Sequence, residues 1–111
     1  IDDNKRQLDG YTKDVMNPFS IEDKMKAFGF NTQTVKGNDL DAIDEAITKA
    51  KSVTDSAVCI VLDTIKGQGV KFFEELLDNH SVKFNTEEVN RATDEAKASL
   101  KKEIEEEEQH V

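Results

Sequence analysis

Apolar positions along this chain switch between helical spacing and short strand-like runs. In "SIEDKMKAFG", Ser20 stands as an N-cap with Asp23 three residues on, a loose capping box. Ile21, Met25 and Phe28 fall on one helical face, and Gly29 stops the helix. "FNTQTVKG" follows, where Phe30, Thr32, Thr34 and Val35 suit a short strand, and Gly37-Asn38-Asp39 turns the chain. "DLDAIDEAITKAKS" predicts an amphipathic helix with Leu40, Ile43, Ile47 and Ala50 on its apolar face, acids early and lysines late. Residues 57 to 65, "AVCIVLDTI", form an apolar run that does not alternate, which predicts a strand covered on both faces. "KGQG" breaks that run, "VKFFEELLDN" predicts a short helix, and Asn85 or Thr86 caps a last long helix. Val89, Ala92, Ala96 and Leu100 line up along it. The order is strand end, helix, strand, helix, strand, helix, helix. This is an α/β pattern with a partial parallel sheet and flanking helices.

Composition adds a constraint. The 111 residues are 36% hydrophobic and 35% charged, with six Phe, one Tyr and no Trp. One small domain is the expectation, with part of its apolar surface covered by a partner or by further chain. The net charge of −9 argues against a nucleic-acid backbone or an anionic membrane surface as partner. Much of the acid lies in "KKEIEEEEQHV", read as a solvated helix end or tail over about residues 100 to 111. The single Cys59 sits in the most apolar run and reads as a buried, inert thiol. No signal peptide or membrane span is evident, and a reducing cytoplasm fits.

In open parallel sheets, ligands collect at the carboxyl ends of the strands. Two polar groups stand there, Asp2-Asp3-Asn4 after Ile1 and Thr64 to Val70 after the apolar run. Asn4 offers a neutral amide oxygen of the kind hard divalent cations accept, although Asp and Asn at strand ends are ordinarily turn formers. Lys66-Gly67-Gln68-Gly69 joins a cation to glycines that admit close backbone approach to phosphate oxygens. A plain strand-to-helix turn explains it equally, since neither P-loop nor dinucleotide spacing is present. His80, in "DNHS", reads as a surface residue, a phosphate donor or a proton shuttle.

Taken in order, "DDNKRQLDGYT", "MNPFSIEDKMKAFGFNTQTVKGND", "DTIKGQGVKFFE" and "NH" followed by "FNTEE" resemble the transketolases, and more closely the amino-terminal section that occurs as a separate subunit. The likeness runs over residues 1 to about 95. It implies part of a thiamine diphosphate-binding fold whose motif opens with Gly-Asp-Gly and closes with an Asn. Ile1 is then expected to end a strand whose earlier part, carrying Gly-Asp-Gly, is absent here. Position by position, the resemblance implies that Asn4 binds the divalent metal, Mg2+ or Ca2+, and contacts the cofactor. Arg6 falls where a backbone carbonyl completes the metal shell. Lys66 approaches the cofactor, and His80 stands near the diphosphate and substrate, with a catalytic role in moving protons. Asp9 and Gly10 lead away from the site. Family members often carry Trp-His-Gly where this chain has Asn79-His80-Ser81, and many bacterial sections have His at the position of Asp63, which is given no role.

The implied activity is transfer of a two-carbon ketol unit between sugar phosphates, as in the pentose phosphate pathway. The implied partners are the upstream half of the same domain, a carboxyl-terminal section or subunit, and a second copy in a dimer. The 111-residue chain by itself is expected to be inactive. The alternatives are a non-catalytic α/β interaction module, for which the acidic helix speaks, and a deoxyxylulose phosphate synthase-like subunit.

Overall fold

The computed structural model describes residues 1–109. His110 and the last residue of the acidic tail lie outside the described residues. The chain forms two compact units, Ile1–Lys66 and the chain from Gly67 onward.

The first unit is built on a parallel sheet. β1 (Asp2–Asp3) and β4 (Asn31–Lys36) flank β5 (Val58–Asp63), and both pairings are parallel. Ile1 extends the β1 ladder, since its nitrogen donates to the Ile60 carbonyl and its carbonyl accepts from Leu62 N, each at 2.8 Å. Side chains alternate across a parallel sheet. The register Thr32↔Cys59 and Thr34↔Val61 therefore places these four residues on one face, and Gln33↔Ile60 and Val35↔Leu62 place the others on the opposite face.

A helix packs on each face. α2 (Ile21–Ala27) is capped by Ser20, whose Oγ accepts from Asp23 N at 3.1 Å. Its Glu22 accepts from the Thr34 hydroxyl, which fastens it to the first face. α3 (Leu40–Lys51) is capped by Asp39, accepting from Ala42 N at 3.0 Å, and takes the Gln33 amide on its Ala46 carbonyl at 2.9 Å. Thr32, Ala46, Cys59 and Val61 are buried. The cysteine is free and enclosed.

Three expectations change in detail. Leu40 is 80% exposed, since it begins α3 beyond the end of the sheet, while the small Ala46 meets β4. β5 is buried on the Cys59–Val61 face and only half-buried on the other. A hairpin that the spacing did not predict follows β1: β2 (Arg6–Gln7) pairs antiparallel with β3 (Gly10–Tyr11) across Leu8-Asp9, and α1 (Thr12–Val15) comes next. Gly10 takes the positive φ, 137°, that this tight connection requires.

The second unit contains α4 (Lys71–Glu75) and α5 (Glu87–Glu108). Thr86 caps α5, accepting from Val89 N at 3.3 Å. Val89 is buried and Ala92 and Ala96 half-buried, whereas Leu100 is exposed. The glutamate-rich stretch through Glu108 is the last part of α5 rather than a separate element. No described helix is long and apolar enough to cross a membrane.

Candidate functional site

Parallel pairing of β1 with β5 merges the two polar groups read separately from the sequence. Asp2 lies beside Leu62 and Asp3 beside Asp63, so Asn4 and Thr64 both leave the sheet at its carboxyl edge. Thr64 N donates to the Asp3 carbonyl at 3.3 Å.

Two ties cross this edge, one on each face. On one, the Thr64 hydroxyl donates to Asp2 Oδ1, and Asn4 Nδ2 donates to Asp2 Oδ2 at 3.0 Å. The Thr64 hydroxyl first, then the Asn4 amide, hold the Asp2 carboxyl below the usual aspartate range. On the other, the Lys5 ammonium bridges Asp3 and Asp63, with Asp63 Oδ1 at 2.8 Å. Burial acts to lower the Lys5 pKa, but hydrogen bonds to Asp3 and Asp63 outweigh it, and the net direction is upward. Asp63, to which the sequence assigned no role, thus anchors the turn after β1.

The turn itself is tight. Lys5 adopts a left-handed backbone, φ 65°, and Asn4 Oδ1 accepts from Arg6 N at 3.1 Å. Thr12 N donates to the Lys5 carbonyl at 2.9 Å, which makes Lys5 and Thr12 a hydrogen-bonded pair of the hairpin. Alternation along an antiparallel ladder then turns the N–H and C=O of Arg6 away from β3. Its carbonyl is thereby directed to the side on which its N–H meets Asn4 Oδ1. The Arg6 guanidinium goes elsewhere. It lies over the Tyr11 ring, 4.7 Å from the centroid, and donates to the Tyr11 hydroxyl at 3.2 Å.

Of the four residues singled out from the sequence, Asn4 and Arg6 are therefore brought together. Lys66 lies past the end of β5, at the close of the first unit and half-buried. His80 belongs to the second unit, in the segment between α4 and α5, and is exposed. Asn79 Nδ2 donates to the Phe73 carbonyl at 2.7 Å and fixes the backbone just before His80.

The glycine loop shows structural reasons for its glycines. Gly67 has φ 82°, and a side chain there would meet the Phe73 backbone at 2.9 Å. Gly69 N donates to Glu74 Oε1 at 2.9 Å.

No group of three or more His, Cys, Asp and Glu suited to a metal occurs among the described residues. The Asn4 amide oxygen and the backbone carbonyl of Arg6, to whose N–H it is bonded, are neutral oxygens of the kind that fit a hard cation already carrying a diphosphate. A groove of the second unit, about 560 Å³ and lined by Phe72, Phe73, Ala96 and Leu100 among others, includes none of the four residues.

Comparison with known proteins decides the family. Residues 1–107 match the family described as transketolase, thiamine diphosphate binding domain. The chain belongs to the transketolase family. Among its transketolase relatives is a 6-deoxy-6-sulfo-D-fructose transketolase subunit of Clostridium sp. (strain MSTE9), 43% identical over 103 residues. That match takes in 92% of this chain and 36% of the relative. An apulose-4-phosphate transketolase subunit of Actinobacillus succinogenes is 30% identical over 96 residues, 86% of this chain and 34% of the relative. A transketolase of Nostoc sp. is 41% identical over 70 residues, 61% of this chain and 10% of the relative. The chain thus spans about a third of the two subunits it matches along most of its length.

Proposed function

We propose that this chain supplies part of the metal-diphosphate anchor of a thiamine diphosphate-dependent transketolase that moves a two-carbon ketol unit between sugar phosphates. The observation that carries the reading is the turn after β1. Asn4 Oδ1 and the Arg6 peptide are held together by the 3.1 Å bond between them, and the alternation of the ladder turns the Arg6 carbonyl to the same side. Asn4 Oδ1 and the Arg6 carbonyl would hold Mg2+, or Ca2+ in its place. The remaining ligands come from elsewhere in the assembled enzyme, because the described residues gather no carboxylate or imidazole cluster of their own.

When bound, the cofactor's thiazolium carbon supplies the nucleophile and the electron sink for cleaving and re-forming the ketol bond. The residues of this chain bind and orient. Lys66 brings a point charge toward the diphosphate, and His80 donates to the diphosphate or the sugar and holds a proton at its imidazole. Catalysis requires the rest of the fold together with a carboxyl-terminal section or subunit, working as a dimer in the cytoplasm. Two of the relatives named above are named for a sulfonated sugar and for a sugar phosphate, both anionic.

Manganese replacing magnesium in crystals of the assembled enzyme with thiamine diphosphate tests this reading. The anomalous peak is expected at about 2.0–2.3 Å from both Asn4 Oδ1 and the Arg6 carbonyl. A peak coordinated by neither overturns it.

A further inference from the structure

An asparagine is a metal ligand only when its oxygen faces the metal. Turned by about 180° around its last bond, the same side chain presents an NH2 group to the cation. Asn4 has two neighbours that select the same orientation. The Asp2 carboxylate, an acceptor, takes the NH2 group at 3.0 Å, and the Arg6 N–H, a donor, takes the oxygen at 3.1 Å. Asp2 is itself held from across the sheet, since its Oδ1 accepts the hydroxyl of Thr64, 62 positions along the chain.

The Thr64 side chain is in turn shaped by the end of β4. A Cβ built on Gly37 would overlap Thr64 Cγ2 and lie 3.1 Å from Leu62 Cβ and 3.2 Å from the Asp63 carbonyl. Gly37 N donates to that carbonyl at 2.9 Å, so the glycine cannot move off without losing the bond. The ends of the three strands are thus linked in series, Gly37 beside Thr64, Thr64 bonded to Asp2 and Asp2 to the Asn4 amide.

We infer that Gly37, Thr64 and Asp2 are positioning residues that fix which end of the Asn4 amide faces the metal. The inference rests on the assignment of Asn4 as a metal ligand. Partners of this kind, one shell out from the ion, orient ligands and typically alter metal affinity about 10–100-fold when removed. Thr64→Val keeps the shape of the side chain and removes its hydroxyl. Thr64→Ser keeps the hydroxyl and removes the methyl.

The test is calorimetric titration of the assembled enzyme with thiamine diphosphate at a series of Mg2+ concentrations. Thr64→Val is expected to raise the half-saturating Mg2+ about tenfold. Cofactor affinity at saturating Mg2+ should be recovered, and Thr64→Ser should stay near the parent. In an Asn4→Ala background, Thr64→Val should add nothing, because its effect passes through the amide. An unchanged Mg2+ requirement in Thr64→Val, with a raised one in Asn4→Ala, overturns the positioning role alone. So does an equal loss in Thr64→Ser, or a Thr64→Val effect that persists without Asn4. An unchanged requirement in Asn4→Ala overturns the metal assignment, and the positioning role with it.

Discussion

Gly37 is glycine because of what lies beside it. Its backbone needs no positive φ, but the space a methyl would occupy is filled by Thr64, Leu62 and the Asp63 carbonyl. Gly37→Ala is expected to cost about 1–3 kcal/mol through overpacking. Because the nearest clash is with Thr64 Cγ2, adding Thr64→Ser should return part of that loss. Denaturant melts of the single and double variants check this, and equal stability of the two contradicts it. The same residues show where reading the sequence stopped. Asn4 and Arg6 were singled out through their likeness to a family motif, and the structure joins them by one hydrogen bond. Thr64 was read only as the start of a polar loop, and its tie to Asp2, like that of Asp63 to Lys5, was not legible, because these partners stand about sixty positions apart and meet only after β1 and β5 pair.

α2 is held to β4 by a small polar latch. Glu22 accepts from Lys26 at 2.5 Å, one turn along the helix, and from the Thr34 hydroxyl on the strand. The Lys26 bond first, then that from Thr34, lower the Glu22 pKa from its ordinary 4.5, and Glu22 in turn raises that of Lys26 from 10.5. The lowered carboxyl contributes stability that is present above pH 4.5 and lost as pH falls through its folded value. The raised ammonium contributes below pH 10.5 and loses it as pH climbs through its own folded value. Lys26 is exposed and Glu22 only half-buried, so the effect is modest and screened by salt. Glu22→Gln is expected to flatten the acid limb of a plot of thermal midpoint against pH below 4.5. An unaltered limb contradicts the latch. Longer elements were legible, α3 because its apolar spacing repeats over three turns and β5 because its apolar run is unbroken over five residues. The β2–β3 hairpin was not, because strands of two residues carry no period and its Leu8-Asp9 connection is not a favoured turn pair.

The molecule as described consists of two units. The first presents the Asn4 turn at the carboxyl edge of its sheet, and the second carries His80 and the long acidic helix. Among the described residues, Ala46, Cys59 and Val61 are the buried apolar residues of the first unit and Val89 that of the second, in keeping with a chain whose hydrophobic content is 36%. The chain belongs to the transketolase family, and the matched subunits are about three times as long as the region matched. The metal anchor is the claim on which the functional reading depends, and Asn4→Ala in the assembled enzyme tests it most directly. Thiamine diphosphate binding, followed by calorimetry at fixed Mg2+, is expected to weaken at least about tenfold while the fold, followed by circular dichroism, is retained. Cofactor affinity equal to that of the parent enzyme contradicts the account.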